Sequence, residues 1–129
     1  MAKLLGLAVT PLLLVAACSS ASGEAAARAS AEQFVAAASA GDAATACGLL
    51  TPDAVRQVES QGTACAQALS GLDLPGGQVG EVQAWGDTAR ASTGADTLFL
   101  RELQDGWRVF AAGCESRGDA PYECAVEAG

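Results

Sequence analysis

At Gly77 the spacing of the apolar residues changes, and this change restricts the fold more than any other feature of the chain. Ahead of it apolar residues recur every three or four positions, which lays one stripe along a helix; beyond it they alternate, as half-buried strands require. From Glu24 to Ser39, residues Ala27, Ala31, Phe34, Val35 and Ala38 form such a stripe, with Arg28, Glu32 and Gln33 off it. Gly41 stops this first helix, and Asp42 caps a second over Ala43–Leu50. Thr51-Pro52-Asp53 reads as cap, first-position proline and first-turn acid, opening a third helix through Val55 and Val58. Thr63 starts a further turn with Cys65 and Leu69 on one side, and Gly71–Gly77 crosses to the second half.

Past Gly77 the candidate strands are Gln78–Trp85, Thr88–Thr93, Asp96–Leu103 and Trp107–Cys114. They are separated by Gly86-Asp87, Gly94-Ala95 and Asp105-Gly106, turns so short that neighbours must run antiparallel. Asp105-Gly106 suits a type I′ turn, whose two central residues need positive φ. That turn places Leu98, Leu100, Trp107, Val109 and Ala111 on one face and Phe99, Arg101, Leu103, Arg108 and Phe110 on the other. The first set has no arginine and is expected to meet the helices. The fold class is α+β, with amino-terminal helices packed on a curved antiparallel sheet.

The amino terminus reads as an address. Lys3 precedes an apolar run from Leu4 to Ala17, about 21 Å as a helix against a hydrocarbon core of roughly 30 Å, and Pro11 interrupts it. Residues 1–17 therefore have the layout of a signal peptide. Val15-Ala16-Ala17-Cys18 resembles the bacterial lipobox, in which small residues precede a cysteine that receives diacylglycerol. The resemblance implies lipidation at Cys18, a flexible tether over 18–24, a domain over 25–129, and a place on the extracytoplasmic face of the bacterial cell membrane. The lipid, palmitate included, is an anchor rather than a cofactor, and no other cofactor is expected.

Setting Cys18 aside leaves Cys47, Cys65, Cys114 and Cys124, an even number that suggests two disulfides in an oxidising compartment. Four cysteines allow three pairings. Cys47 with Cys65 and Cys114 with Cys124 is the expected one, because each pair brackets a short segment that must fold back. A zinc site is not expected, since the chain has no histidine and no CxxC. The same lack of histidine, with Lys3 as the only lysine, removes Ser-His-Asp and Cys-His nucleophiles and lysine Schiff bases. A net charge of −8 with scattered arginines argues against nucleic acid as a partner.

The helix ending in Ser39-Ala40-Gly41-Asp42, the Gly86-Asp87-Thr88-Ala89 turn, and Leu98-x-Leu100 followed by Asp105-Gly106-Trp107-Arg108-Val109 resemble the NTF2-like superfamily over about residues 24–114. This is the cone fold shared with ketosteroid isomerase and SnoaL cyclases. The resemblance implies a pocket inside the cone, for which Leu98, Leu100, Glu102, Trp107 and Val109 are the candidates. Enzymes of that superfamily place an Asp, His or Tyr there. In this chain Glu102 is the one carboxylate whose parity puts it on that face. Asp42 is expected as a cap, Asp96 at a rim, and Tyr122 outside the sheet, over a Cys114–Cys124 bridge that closes the polar surface loop 115–120. The cysteines, with Gly113-Cys114 and Pro121-Tyr122-Glu123-Cys124, look similar to small secreted actinobacterial lipoproteins. Arginine used to the exclusion of lysine beyond Lys3 fits a GC-rich genome. The function expected is a noncatalytic binding module for a protein or small apolar ligand at the cell envelope. The alternatives are an isomerase- or cyclase-like enzyme using a carboxylate in the cone, and a structural or accessory partner of a membrane protein.

Overall fold

The computed structural model of the chain describes residues 19–128 and, ahead of them, Gly6, Ala8 and Pro11. Helices come first: α1 (Ser19–Ser39), α2 (Ala43–Gly48), α3 (Pro52–Val58) and α4 (Cys65–Gly71). Strands follow: β1 (Val82–Trp85), β2 (Thr88–Ser92), β3 (Thr97–Leu103), β4 (Gly106–Arg117) and β5 (Ala120–Glu127). Every neighbouring pair is antiparallel in the order β1-β2-β3-β4-β5, so the domain is α+β with an open five-stranded meander. Among the described residues no helix is long and apolar enough to cross a membrane.

The sequence explains the helix ends. Gly41 adopts φ 74°, and the N–H groups of Asp42 and Gly41 donate to the carbonyls of Ala37 and Ala38, the two bonds of a Schellman motif. Asp42 then caps α2, its carboxylate accepting from the Thr45 N–H at 3.2 Å and the Thr45 hydroxyl at 2.6 Å. One residue thus closes one helix and opens the next. Thr51 caps α3 from a buried position, its hydroxyl accepting from Ala54 N–H at 3.1 Å, with Pro52 following where its missing N–H costs nothing. α4 has no side-chain cap on Ala64; instead the Glu59 carboxylate accepts from Cys65 N–H at 3.0 Å.

Between α2 and α3 the chain is stitched to the sheet. Val109 N–H donates to Leu49 carbonyl at 2.8 Å and Thr51 N–H donates to Val109 carbonyl at 2.9 Å, forming a parallel bridge of Leu50 with Val109. Above the sheet α1 buries Ala27, Ala31, Phe34, Val35 and Ala37, and the opposed strands bury Ala89, Ala91, Leu98, Leu100, Trp107 and Val109. These residues form one core, in which Phe34 is the largest side chain with almost no exposed surface. Alanines are buried on both layers, Ala27 and Ala31 on α1 and Ala89 and Ala91 on β2.

Several boundaries differ from the sequence reading. α1 starts at Ser19, so residues 19–24, expected as a tether, are helical although Ser19, Ser20, Ser22 and Gly23 are weak helix formers; they continue the helix that Glu24, Ala25 and Ala26 carry into the apolar stripe. Ala38, expected on the buried stripe, is half-exposed and Ala37 takes its place. The 72–81 segment is irregular, and β1 is limited to Val82–Trp85. The largest correction is a fifth strand. The expected surface loop 115–120 is the tip of a hairpin in which Cys114 faces Cys124, Glu115 faces Glu123 and Arg117 faces Ala120. Gly118 turns the chain with φ 66°. Polar residues hide the alternation here because the tip is exposed on both sides, and Pro121 is tolerated because β5 is an edge. The proposed signal segment, except for Gly6, Ala8 and Pro11, and Cys18 lie outside the described residues.

Both expected disulfides form, Cys47–Cys65 joining α2 to α4 and Cys114–Cys124 joining β4 to β5. Replacing Cys114 and Cys124 by serine should lower the unfolding free energy by about 2–5 kcal/mol, seen as a lower urea midpoint. Amide exchange in that variant should rise first in β5, which has a single neighbour. A uniform rise across the sheet would contradict this placement of the bridge.

Candidate functional site: the two faces of the sheet

Four of the five residues expected to line a pocket lie in the core. Leu98, Leu100, Trp107 and Val109 are buried core side chains packed with α1. Trp107 closes the core near the amino-terminal end of α1, where Gly23 approaches its ring. Glu102, opposite Trp107 in the register, is exposed. Surface clefts lie between α1 and the α4–β1 connection, between α3, α4 and β5, beside residues 77–79, and at the β2–β3 turn; none is lined by any of the five. Among the described residues no group of three or more His, Cys, Asp or Glu is arranged to hold a metal ion.

Asp96, expected at a rim, is buried. Its carboxylate accepts from the N–H groups of Thr97 at 2.6 Å, Cys114 at 2.7 Å and Gly113 at 3.1 Å. These contacts fix an irregularity in β4. Between the Leu100–Val109 and Thr97–Cys114 pairs, β3 advances three residues while β4 advances five. The extra backbone leaves N–H groups that the ladder does not use, and Asp96 takes two of them. Gly113, at φ 65°, is required there, since a Cβ would come within 2.9 Å of Ala125 Cβ and 3.2 Å of Leu74 Cδ2. Burial pushes the Asp96 carboxyl above the ordinary aspartate range, outweighing the three N–H bonds that pull it down, and the charge of Glu115 adds a smaller push upward. Asp42 is held below that range by the Thr45 hydroxyl and N–H.

The opposite face of the sheet is built differently. At its outward positions stand Trp85 from β1, Arg90 from β2, Phe99 and Arg101 from β3, Arg108 and Phe110 from β4, and Tyr122 from β5. Phe99 lies 6.1 Å from Phe110 and meets Tyr122 edge-on at 5.2 Å. The Arg101 guanidinium lies over Phe110, 4.6 Å from the ring centre. Trp85 is 53% exposed, a large value for that residue type. Tyr122 therefore belongs to the sheet and packs on Phe99, where the sequence reading had it outside the sheet over the bridge. Its alternation with Cys124 and Val126 is the signal that marks β5 in the sequence.

Charge is uneven on this face. Among the described residues Arg28, Arg56, Arg108 and Arg117 each lie within ion-pair distance of a carboxylate, Glu32, Asp53, Asp105 and Glu123 respectively. Arg90 and Arg101 do not. Arg90 donates to the Gln83 side-chain carbonyl at 2.7 Å, and Arg101 has the Phe110 ring. The outward positions of β1, β2 and β3 carry no acid.

The chain matches no protein-family model, and neither a curated protein nor a solved structure is detectably similar to it.

The Asp96 cluster makes a pH prediction. A carboxyl whose folded pKa lies above its unfolded value of about 3.9 adds stability that is complete below that value and is lost as pH rises through the folded pKa. Asp42, shifted the other way, adds stability that is lost as pH falls through its folded pKa. Carboxyl NMR should show Asp96 titrating above about 3.9 and Asp42 below it. Asp96→Asn should remove the first of these slopes from the stability profile and leave the second. A variant that keeps both slopes would contradict the assignment.

Proposed function

We propose that this chain is a membrane-anchored extracytoplasmic lipoprotein whose domain is a noncatalytic binding module of NTF2-like descent. The observation that carries the reading is the use of cysteine. Four of the five are paired within the domain, as an oxidising compartment favours, and the remaining one is Cys18 of Val15-Ala16-Ala17-Cys18 behind an apolar run. Two or more acyl chains on that residue give a stable anchor.

The binding reading is supported by the packing. The helix-facing side of the sheet is occupied by core side chains, so contacts with a partner fall on the outer surface. The NTF2-like reading is supported by element order: a long first helix laid across an antiparallel meander, with short helices between them.

In a bacterial host the wild-type protein should fractionate with membranes, and intact mass should show residue 18 carrying a diacylglycerol thioether. Cys18→Ser should move the protein to the soluble fraction. Recovery of the wild type from the medium with residue 18 unmodified would remove the anchor.

A further inference from the structure

Arg90 and Arg101 are the two guanidiniums with no carboxylate among the described residues, in a chain with fifteen acids against seven basic residues. They are also neighbours. Arg90 stands opposite Phe99 and Arg101 opposite Thr88, so the two are diagonal partners on adjacent strands, roughly 7–8 Å apart. Stacking on Phe110 satisfies the flat face of Arg101 and leaves its in-plane N–H donors directed elsewhere. Around them stand Trp85, Phe99 and Tyr122.

We infer that this face docks the carboxylate-bearing surface of a different protein, with Arg90 and Arg101 as its charge receptors and the rings as its apolar contact. The inference rests on the binding-module reading and names the partner's chemistry. Aromatic rings with arginine are the composition of interface centres, and a guanidinium receives a carboxylate through two parallel bonds. Among the described residues, the clefts between α1 and the α4–β1 connection, between α3, α4 and β5, beside residues 77–79 and at the β2–β3 turn do not include Arg90 or Arg101, so this surface suits another surface rather than an enclosed small molecule. A bilayer is disfavoured, because two arginines gain only about 1 kcal/mol each at an anionic membrane. Two arginines likewise fall short of the clustered basic surface that nucleic acid needs. A two-fold pair of copies has no acid at the outward positions of β1, β2 and β3 to receive the arginines, since the nearby Asp105 is paired with Arg108 and Glu81 with Gln83, and head-to-tail copies would form an open chain.

The test uses the full chain in a nonionic detergent and a random glutamate–tyrosine copolymer as probe. Wild-type protein should bind it with the Arg90 and Arg101 Nε resonances shifted. Arg90→Glu with Arg101→Glu should weaken binding at least tenfold and gain binding to a lysine–tyrosine copolymer, with circular dichroism unchanged. Arg90→Gln with Arg101→Gln, which adds no new charge, should lose the first probe without gaining the second. Equal binding by wild type and variants would overturn the inference, as would preference for phosphatidylglycerol vesicles or an oligothymidylate, or self-association through this face in sedimentation. A protein lipidated at Cys18 that ignores the acidic copolymer overturns the partner chemistry and leaves the anchored reading intact.

Discussion

Three backbone N–H groups converge on the buried Asp96 carboxylate, and the shape of the sheet depends on that convergence. Two extra residues in β4 would otherwise leave N–H groups buried without acceptors, at about 1–3 kcal/mol each. With Asp96 in place the extra backbone becomes a fixed bend. Gly113 supplies the conformation and the space, and Cys114, held by the same carboxylate, is bonded to Cys124. The bend, the bridge and the edge strand β5 are thus one construction. Tyr122 reaches Phe99 because of it.

The other organising constraint is residue size. A chain with so few aromatic residues cannot fill a wide core, and it brings α1 close to the strands through Ala27, Ala31, Ala89 and Ala91. Phe34, Leu98, Leu100, Trp107 and Val109 complete the filling. The remaining rings, apart from these, lie on the other side of the sheet. That division leaves one dry face and one face of rings and guanidiniums, which is the physical basis for placing recognition outside the layers.

Much of this arrangement was legible in the sequence where local rules act alone. The change of period at Gly77, the caps at Asp42 and Thr51, and the separation of Leu98 and Leu100 from Phe99 and Arg101 correspond to structure. The expected Asp105-Gly106 turn is instead Gln104-Asp105, with Leu103 opposite Gly106 and positive φ only at Gly106; this moves the register by two residues and so keeps the parity as far as Val109, beyond which the β4 irregularity sets Ala111 opposite Phe99 rather than on the Leu98 face. Both disulfides follow the expected pairing. What was not legible depended on contacts distant in sequence. Asp96 looks like a polar residue at a strand start, and its donors lie on β4 as well as beside it. The β5 hairpin tip is polar on both sides, so its alternation is masked until the pairing with β4 is known. Leu98, Leu100, Trp107 and Val109, which the resemblance sets around a pocket, are core residues, and their burial follows only from the assembled layers. Arg90 and Arg101 fall on one face only after β2 and β3 are placed in register.

The central proposal is that one face of the sheet is covered by the protein itself and the other receives a partner. Hydroxyl-radical footprinting of the full-length protein, in native membranes and after purification, tests it directly. Phe34 and Trp107 should resist labelling in both states, while Trp85 labels strongly and the part-buried Phe99, Phe110 and Tyr122 measurably when purified, and all four weakly in membranes. Equal labelling of those four rings in both states would contradict it.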